Sequence, residues 1–130
     1  MPVAGRARDV VFILTARAML QLGKGRAAAA WQDLLAAQRV GRLIGHGPTT
    51  IDALTGLACE QVSVRPTLAY IQHARLNAKT AVRCLNDLRN LPPRAKMAEV
   101  ITVTERITFI ASTLLVAEGD EFARAVFEIE

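Results

Sequence analysis

Residues Ala16 to Thr50 read ARAMLQLGKGRAAAAWQDLLAAQRVGRLIGHGPTT, and this stretch decides the fold. It carries the end of one helix, a glycine turn, a second helix, another glycine turn and the capped start of a third. Within the second helix, about Arg26 to Ile44, the residues Ala27, Ala30, Trp31, Leu34, Ala37, Gly41 and Ile44 recur at steps of three and four. That spacing lines one face of an α-helix. Ala30, Ala37 and Gly41 are small enough to let a neighbouring backbone come close, with Trp31 and Leu34 as interior filling between rods. Gln32, Arg39, Arg42 and His46 fall together on the opposite side.

Working outward, the N-terminal side predicts a helix over Asp9 to Leu22, capped by Asp9 and ended by Gly23 and Gly25, since glycine accepts the left-handed geometry of a helix C-terminus. On the C-terminal side, Gly45-His46-Gly47-Pro48 is a break, and Thr49-Thr50-Ile51-Asp52 matches a capping box. The third helix is expected from Thr50 to about Arg75, with Ile51, Leu54, Ala58, Val62, Leu68 and Ile71 as its apolar side. Pro66 should kink or split it near Val64 and Arg65. Asn77 caps a shorter helix, Ala78 to Leu91, with Ala81, Cys84, Leu85, Leu88 and Leu91 inward, stopped by Pro92-Pro93. A fifth helix is expected over Arg94 to Ala117. Its β-branched run, Val100 to Thr104, leaves a strand as the alternative there. A last amphipathic piece spans Asp120 to Ile129.

Composition agrees with an all-helical chain. In 130 residues, 52% are hydrophobic and only 5% aromatic, so the core is mostly Ala, Leu, Ile and Val, of which Ala and Leu favour helix. A chain of this length buries about two thirds of its unfolded surface. The formal charge of +4 hides an asymmetry: residues 1–50 hold seven Lys/Arg against Asp9 and Asp33, and the stretch from Glu118 onward holds five acids against Arg124. Such faces steer partners, neutralise one another or are simply solvated. The two cysteines, Cys59 and Cys84, form no disulfide framework and lack zinc-site spacing; among apolar neighbours they read as small core residues. The apolar runs Val10 to Leu14 and Ile107 to Ala117 are both too short for a signal-peptide core or a membrane span.

Two resemblances follow from these residues. Leu20 to Ala37, with Ala18, Ala30 and Ala37 at small-residue positions and Leu34 at the large one, resembles a single tetratricopeptide-type helical hairpin. The usual terminal proline is replaced by Arg42, and no second copy follows at that period. The run ARAMLxLGxGxxxxAWxDLLAxxRxxRLxxxGPTxxxAL, here Ala16 to Leu54, with Leu91-Pro92-Pro93 later, is similar to uncharacterised proteins of planctomycete-type bacteria. That likeness brings no activity with it, and implies that these residues are a segment of a longer protein.

The chemistry-bearing residues are sparse. The Gly45–Thr50 turn feeds a helix N-terminus, where an anion is favoured, with Arg39, Arg42 and His46 near. A turn and a cap explain the same residues, and no Walker-type lysine follows. His46 and His73 have no metal-site spacing, and no G-x-S-x-G elbow is present. For nucleophilic catalysis the candidates are Cys59, Cys84 and a few Ser and Thr, and a fold would have to assemble a pocket such as Cys59 with His73 and Tyr70; two core cysteines are the plainer reading. Glu99, Thr102, Arg106 and Thr113 share a face of the fifth helix, with Glu105 alongside and Arg83 or Arg89 as possible ion-pair partners for the acids. Nucleic-acid binding is a minor alternative: the bases of the N-terminal third are scattered, and few aromatics are available for stacking.

The expectation is therefore a single all-α domain over 1–130, of five to six antiparallel helices in helical-hairpin, solenoid-like packing: a first hairpin over 9–45, a second over 49–91, and C-terminal helices over 94–130. The expected function is a non-catalytic scaffold or interaction module whose partner is protein. No cofactor, metal or catalytic residue is expected, nor a membrane span in this segment. The expected working surface comprises Gln32, Arg39, Arg42, His46 and Thr49. The alternatives are an enzyme accessory domain with a pocket around Cys59, His73 and Tyr70, and weak anion or nucleic-acid binding through the basic N-terminal third.

Overall fold

The computed structural model describes residues 2–118, and every element among them is helical: α1 (Pro2–Gly23), α2 (Ala27–Gly45), α3 (Thr50–His73), α4 (Ala78–Arg89) and α5 (Met97–Glu118). The strand considered over Val100 to Thr104 is helix, part of α5. The amphipathic piece over Asp120 to Ile129 lies outside the described residues. The chain divides into two compact units, residues 1–95 and 96–130.

In the first unit, α1 begins at Pro2, seven residues before the expected cap at Asp9. Proline suits the first helical turn because its missing N–H has no intrahelical acceptor there, and the Ala and Arg residues that follow propagate the helix. The first turn closes as a Schellman motif: Gly25 takes φ 74°, its N–H donates to Leu22 O at 2.9 Å, and the Arg26 N–H donates to Gln21 O at 2.9 Å. Short turns make α1 and α2, and then α2 and α3, antiparallel neighbours. α1 also packs against α3, so the three helices share a core.

That core has two parts. One gathers Ala18, Ala30, Trp31, Leu34, Leu35, Tyr70, Cys84 and Leu91; the other gathers Val11, Ala37 and Cys59. Trp31 is 1% exposed, stacks in tilted geometry on Tyr70 at a ring separation of 5.1 Å, and donates its indole N–H to Asp87 at 2.8 Å. A large apolar body with a satisfied polar tip is the arrangement that buries tryptophan without penalty. Asp33 on α2 accepts both forks of Arg17 on α1, at 2.7 and 2.6 Å.

The α2–α3 contact corrects the sequence reading of α3. Its buried residues are Ala53, Gly56, Cys59, Ser63 and Tyr70, and the side chains expected inward (Ile51, Leu54, Ala58, Leu68, Ile71) are exposed. The reason is interhelical distance. A Cβ on Gly56 would lie 2.5 Å from the Gly45 nitrogen and 2.6 Å from Gly41 O, and a Cβ on Gly41 would lie 3.2 Å from Cys59 Cβ. Backbones this close admit only small residues between them, so the large aliphatics of α3 turn outward.

Pro66 does not split α3, which runs unbroken to His73. Around it, Ser63 Oγ donates to Cys59 O at 3.2 Å, Thr67 Oγ1 donates to Ser63 O at 2.8 Å, and Gln38 donates to Thr67 Oγ1 at 3.2 Å. α4 starts on the Asn77 cap, whose Oδ1 accepts the Thr80 N–H at 2.8 Å, and its backbone approaches α2. Of its expected inward residues, Cys84 is buried, Leu88 is half-buried, and Ala81 and Leu85 are exposed. The helix ends at Arg89, leaving Leu91 as a buried residue of the following loop.

The second unit contributes α5. Its 21 residues Met97–Ala117 have a mean hydropathy of 1.6 in their most apolar window, and by length and composition alone they suffice to cross a membrane. The expected apolar run, Ile107 to Ala117, is shorter because Thr104, Glu105 and Arg106 interrupt it in sequence, whereas the helix also takes in Val100, Ile101 and Val103 upstream. The hydroxyls of Thr102, Ser112 and Thr113 donate to the carbonyls of Ala98, Thr108 and Phe109 within the helix.

Candidate functional site

The expected working surface resolves into two kinds of residue. Gln32 and Arg39 are exposed on α2. Arg42, His46 and Thr49 serve the fold. Arg42 Nη1 donates to Pro92 O at 2.7 Å, and His46 Nε2 lies 2.8 Å from Pro93 O. Arg94 completes the attachment through Glu60 on α3, at 2.7 Å, with the Arg42 Nε 3.8 Å from the same carboxylate oxygen. These bonds fasten the Pro92–Arg94 segment to the C-terminal half of α2 and to α3. A double proline has few N–H groups of its own, so side chains reaching its carbonyls are what hold it in place.

Thr49 is the N-cap of α3. Its Oγ1 accepts the Asp52 N–H at 3.1 Å, and the Asp52 carboxylate accepts the Thr49 N–H at 3.1 Å and its hydroxyl at 2.6 Å. The anion favoured at this helix start is thus the chain's own carboxylate. Asp52 also packs over Gly47, where an added Cβ would meet its side chain at 2.5 Å. The Gly45–Thr50 turn is a closed cap.

Cys59, His73 and Tyr70 are not brought together. Cys59 lies in the cluster with Val11 and Ala37, Tyr70 lies in the other beside Trp31, and His73 is exposed. Tyr70 instead shares its cluster with Cys84 of α4, a grouping that separation in sequence gave no means of anticipating. Burial pushes the Tyr70 hydroxyl and both thiols above their ordinary ranges, with the Arg83 charge partly opposing this at Tyr70 and Cys84. A thiol held protonated is a poor nucleophile, so this environment keeps both cysteines as packing residues.

On α5, Glu99 accepts from Lys96 at 2.9 Å, which raises the lysine pKa through that hydrogen bond and charge. Thr102 and Thr113, read as part of one polar face with Glu99 and Arg106, are bonded back onto their own helix. Among the described residues no group of three or more His, Cys, Asp or Glu side chains is placed to hold a metal ion.

The feature that sequence reasoning missed is the outer face of α3. Ile51, Leu54, Leu57, Val64, Leu68 and Ile71 are each between 42% and 55% exposed. From Leu54 onward, with Gln61 between Leu57 and Val64, they follow alternating steps of three and four, the heptad spacing of a seam between helices. The signal was present in the sequence as apolar residues on every side of α3. α1 and α2 cover one face of α3, and the other is open. Compared with known proteins, the chain matches no family model, and neither a curated protein nor a solved structure is similar to it.

Proposed function

We propose that this chain is a non-catalytic helical interaction module, and that the outer face of α3 is the surface it offers. The observation that carries the reading is the inversion in α3: apart from Tyr70, small residues face the core, and six large aliphatics face outward over about 30 Å of helix. The occupant this face suits is an amphipathic helix of a partner protein, apolar at heptad spacing and acidic along its flanks. Charge supports the second half of that description. Residues 1–95 hold thirteen Lys/Arg and five Asp/Glu, and four of those acids (Asp33, Asp52, Glu60 and Asp87) are engaged in bonds that hold the fold. Gln32 and Arg39 remain available as polar contacts on α2.

α5 is read the same way, as a helix to be covered by protein and not by lipid. Glu105 and Arg106 sit near its middle, where a charged side chain costs about 2.5–3.5 kcal/mol on insertion into a bilayer.

The test is titration of the full chain with a synthetic helical peptide carrying Leu at its a and d positions and Glu at e and g. Saturable binding is expected, lost in the Leu57→Asp/Leu68→Asp double variant and kept in Leu20→Asp, a change at an exposed leucine of α1. Binding that survives the double variant overturns the assignment, and so does self-association of the chain through the same face.

A further inference from the structure

The geometry points to a second, independent site: an oxyanion-binding cleft at the start of α2 and α4, suited to a phosphate group or a small phosphate monoester. The cleft has a volume of about 240 Å³ and is lined by Ala27, Ala28, Tyr70, Arg75, Thr80 and Arg83, among others. That is below the roughly 300–1,000 Å³ of sites for drug-sized ligands, so its ligand is small.

Three features of the lining give the cleft its preference. First, Arg75 and Arg83 make no ion pair with any described acid. The nearest carboxylate in sequence, Asp87, is hydrogen-bonded to the Trp31 indole. Guanidinium groups present planar pairs of donors that match phosphate oxygens. Second, Tyr70, 1% exposed, forms part of the lining and brings a hydroxyl able to donate to an oxyanion. Third, α2 opens onto the cleft through Ala27 and Ala28, with no side-chain cap on Arg26 and no acid in the first turn. A neighbouring hollow of about 370 Å³ adds Lys79 beside Arg83, so the rim is basic as well.

Arg75 supplies a way to separate a ligand role from a structural one. It holds φ 47° at the α3–α4 turn, a left-handed conformation that glycine adopts without strain. Substituting glycine there relieves the backbone while removing the charge, so a loss of binding in a fold that is no less stable has one explanation.

The experiment is amide-resolved NMR titration of the full chain with inorganic phosphate, against chloride at matched ionic strength, and in a second arm with glycerol phosphate. Saturable shifts are expected at Ala27, Ala28, Asn77 and Thr80 with phosphate and not with chloride. Tighter binding of the ester than of phosphate identifies a phosphorylated small molecule as the ligand; equal or weaker binding identifies the free ion. Arg83→Gln and Arg75→Gly should each weaken binding about tenfold. Arg6→Gln, at an exposed position of α1 that is no part of the lining, should leave it unchanged. Shifts that stay linear, that follow ionic strength, or that persist in the Arg75→Gly/Arg83→Gln double variant overturn the site. The heptad-peptide titration does not depend on these arginines, so either site can fail alone.

Discussion

α2 and α3 hold the same number of apolar residues, twelve each, and use them in opposite ways. α2 lies between α1 and α3 and buries its large side chains, Trp31, Leu34 and Leu35. α3 buries Ala53, Gly56, Cys59 and Ser63 and turns Leu54, Leu57, Leu68 and Ile71 outward. The difference teaches that apolar content alone does not say which face of a helix is core. Where two backbones approach closely, the smallest residues win the interface, and larger ones are left over for another partner.

Substitutions break or sharpen this contrast. Trp31→Ala should have the largest effect, about 3–5 kcal/mol of lost stability in chemical denaturation, since it empties a closely packed site and strands the Asp87 carboxylate. Gly56→Ala should cost about 2 kcal/mol even though alanine is the better helix former, because the added methyl meets backbone atoms of α2 that cannot give way. A neutral result for Gly56→Ala would dissolve the close-approach explanation for the orientation of α3.

Thr49→Ala, which removes the α3 cap and releases Asp52, should cost about 1 kcal/mol. Leu57→Asp and Leu68→Asp should cost only about 0.5 kcal/mol each despite replacing large aliphatics, because those side chains are half exposed. Equal losses for Trp31→Ala and Leu68→Asp would erase the contrast between the two helices.

Alkaline pH tests the buried groups. Cys59, Cys84 and Tyr70 hold their protons more tightly in the folded chain than in the unfolded one, through burial. Their contribution is complete below the unfolded thiol range near 8.5 and declines as pH rises from there toward the folded values, since the unfolded chain then binds fewer protons. Denaturation midpoints should therefore fall above about pH 9. Both thiols should react with a thiol reagent only as fast as the chain opens.

Much of the local structure was legible in the chain. The Gly25 turn, the Thr49–Asp52 capping box, the Asn77 cap and the interior placing of Ala30, Trp31, Leu34 and Ala37 follow from residue types at short spacing. Each is settled by contacts within about one turn of helix or by one strongly periodic face. The start of α1 was misplaced because Asp9 resembles a cap, and nothing local forbids a helix from running through it. The candidate surface was only partly legible. Gln32 and Arg39 are exposed as read, whereas Arg42 and His46 reach the carbonyls of Pro92 and Pro93, about fifty residues away in sequence.

By itself, then, the sequence determined that the elements up to Arg89 are helices, where most of the turns fall and how two of the helices are capped, since hydrogen bonds and side-chain geometry within a few residues decide these. Tertiary structure alone decided which face of α3 is interior, that Tyr70 meets Cys84, and that Arg75 and Arg83 line one cleft. The first depends on how closely α2 and α3 approach at Gly41, Gly45 and Gly56, and the others on where α4 lies, neither of which periodicity along a single helix contains.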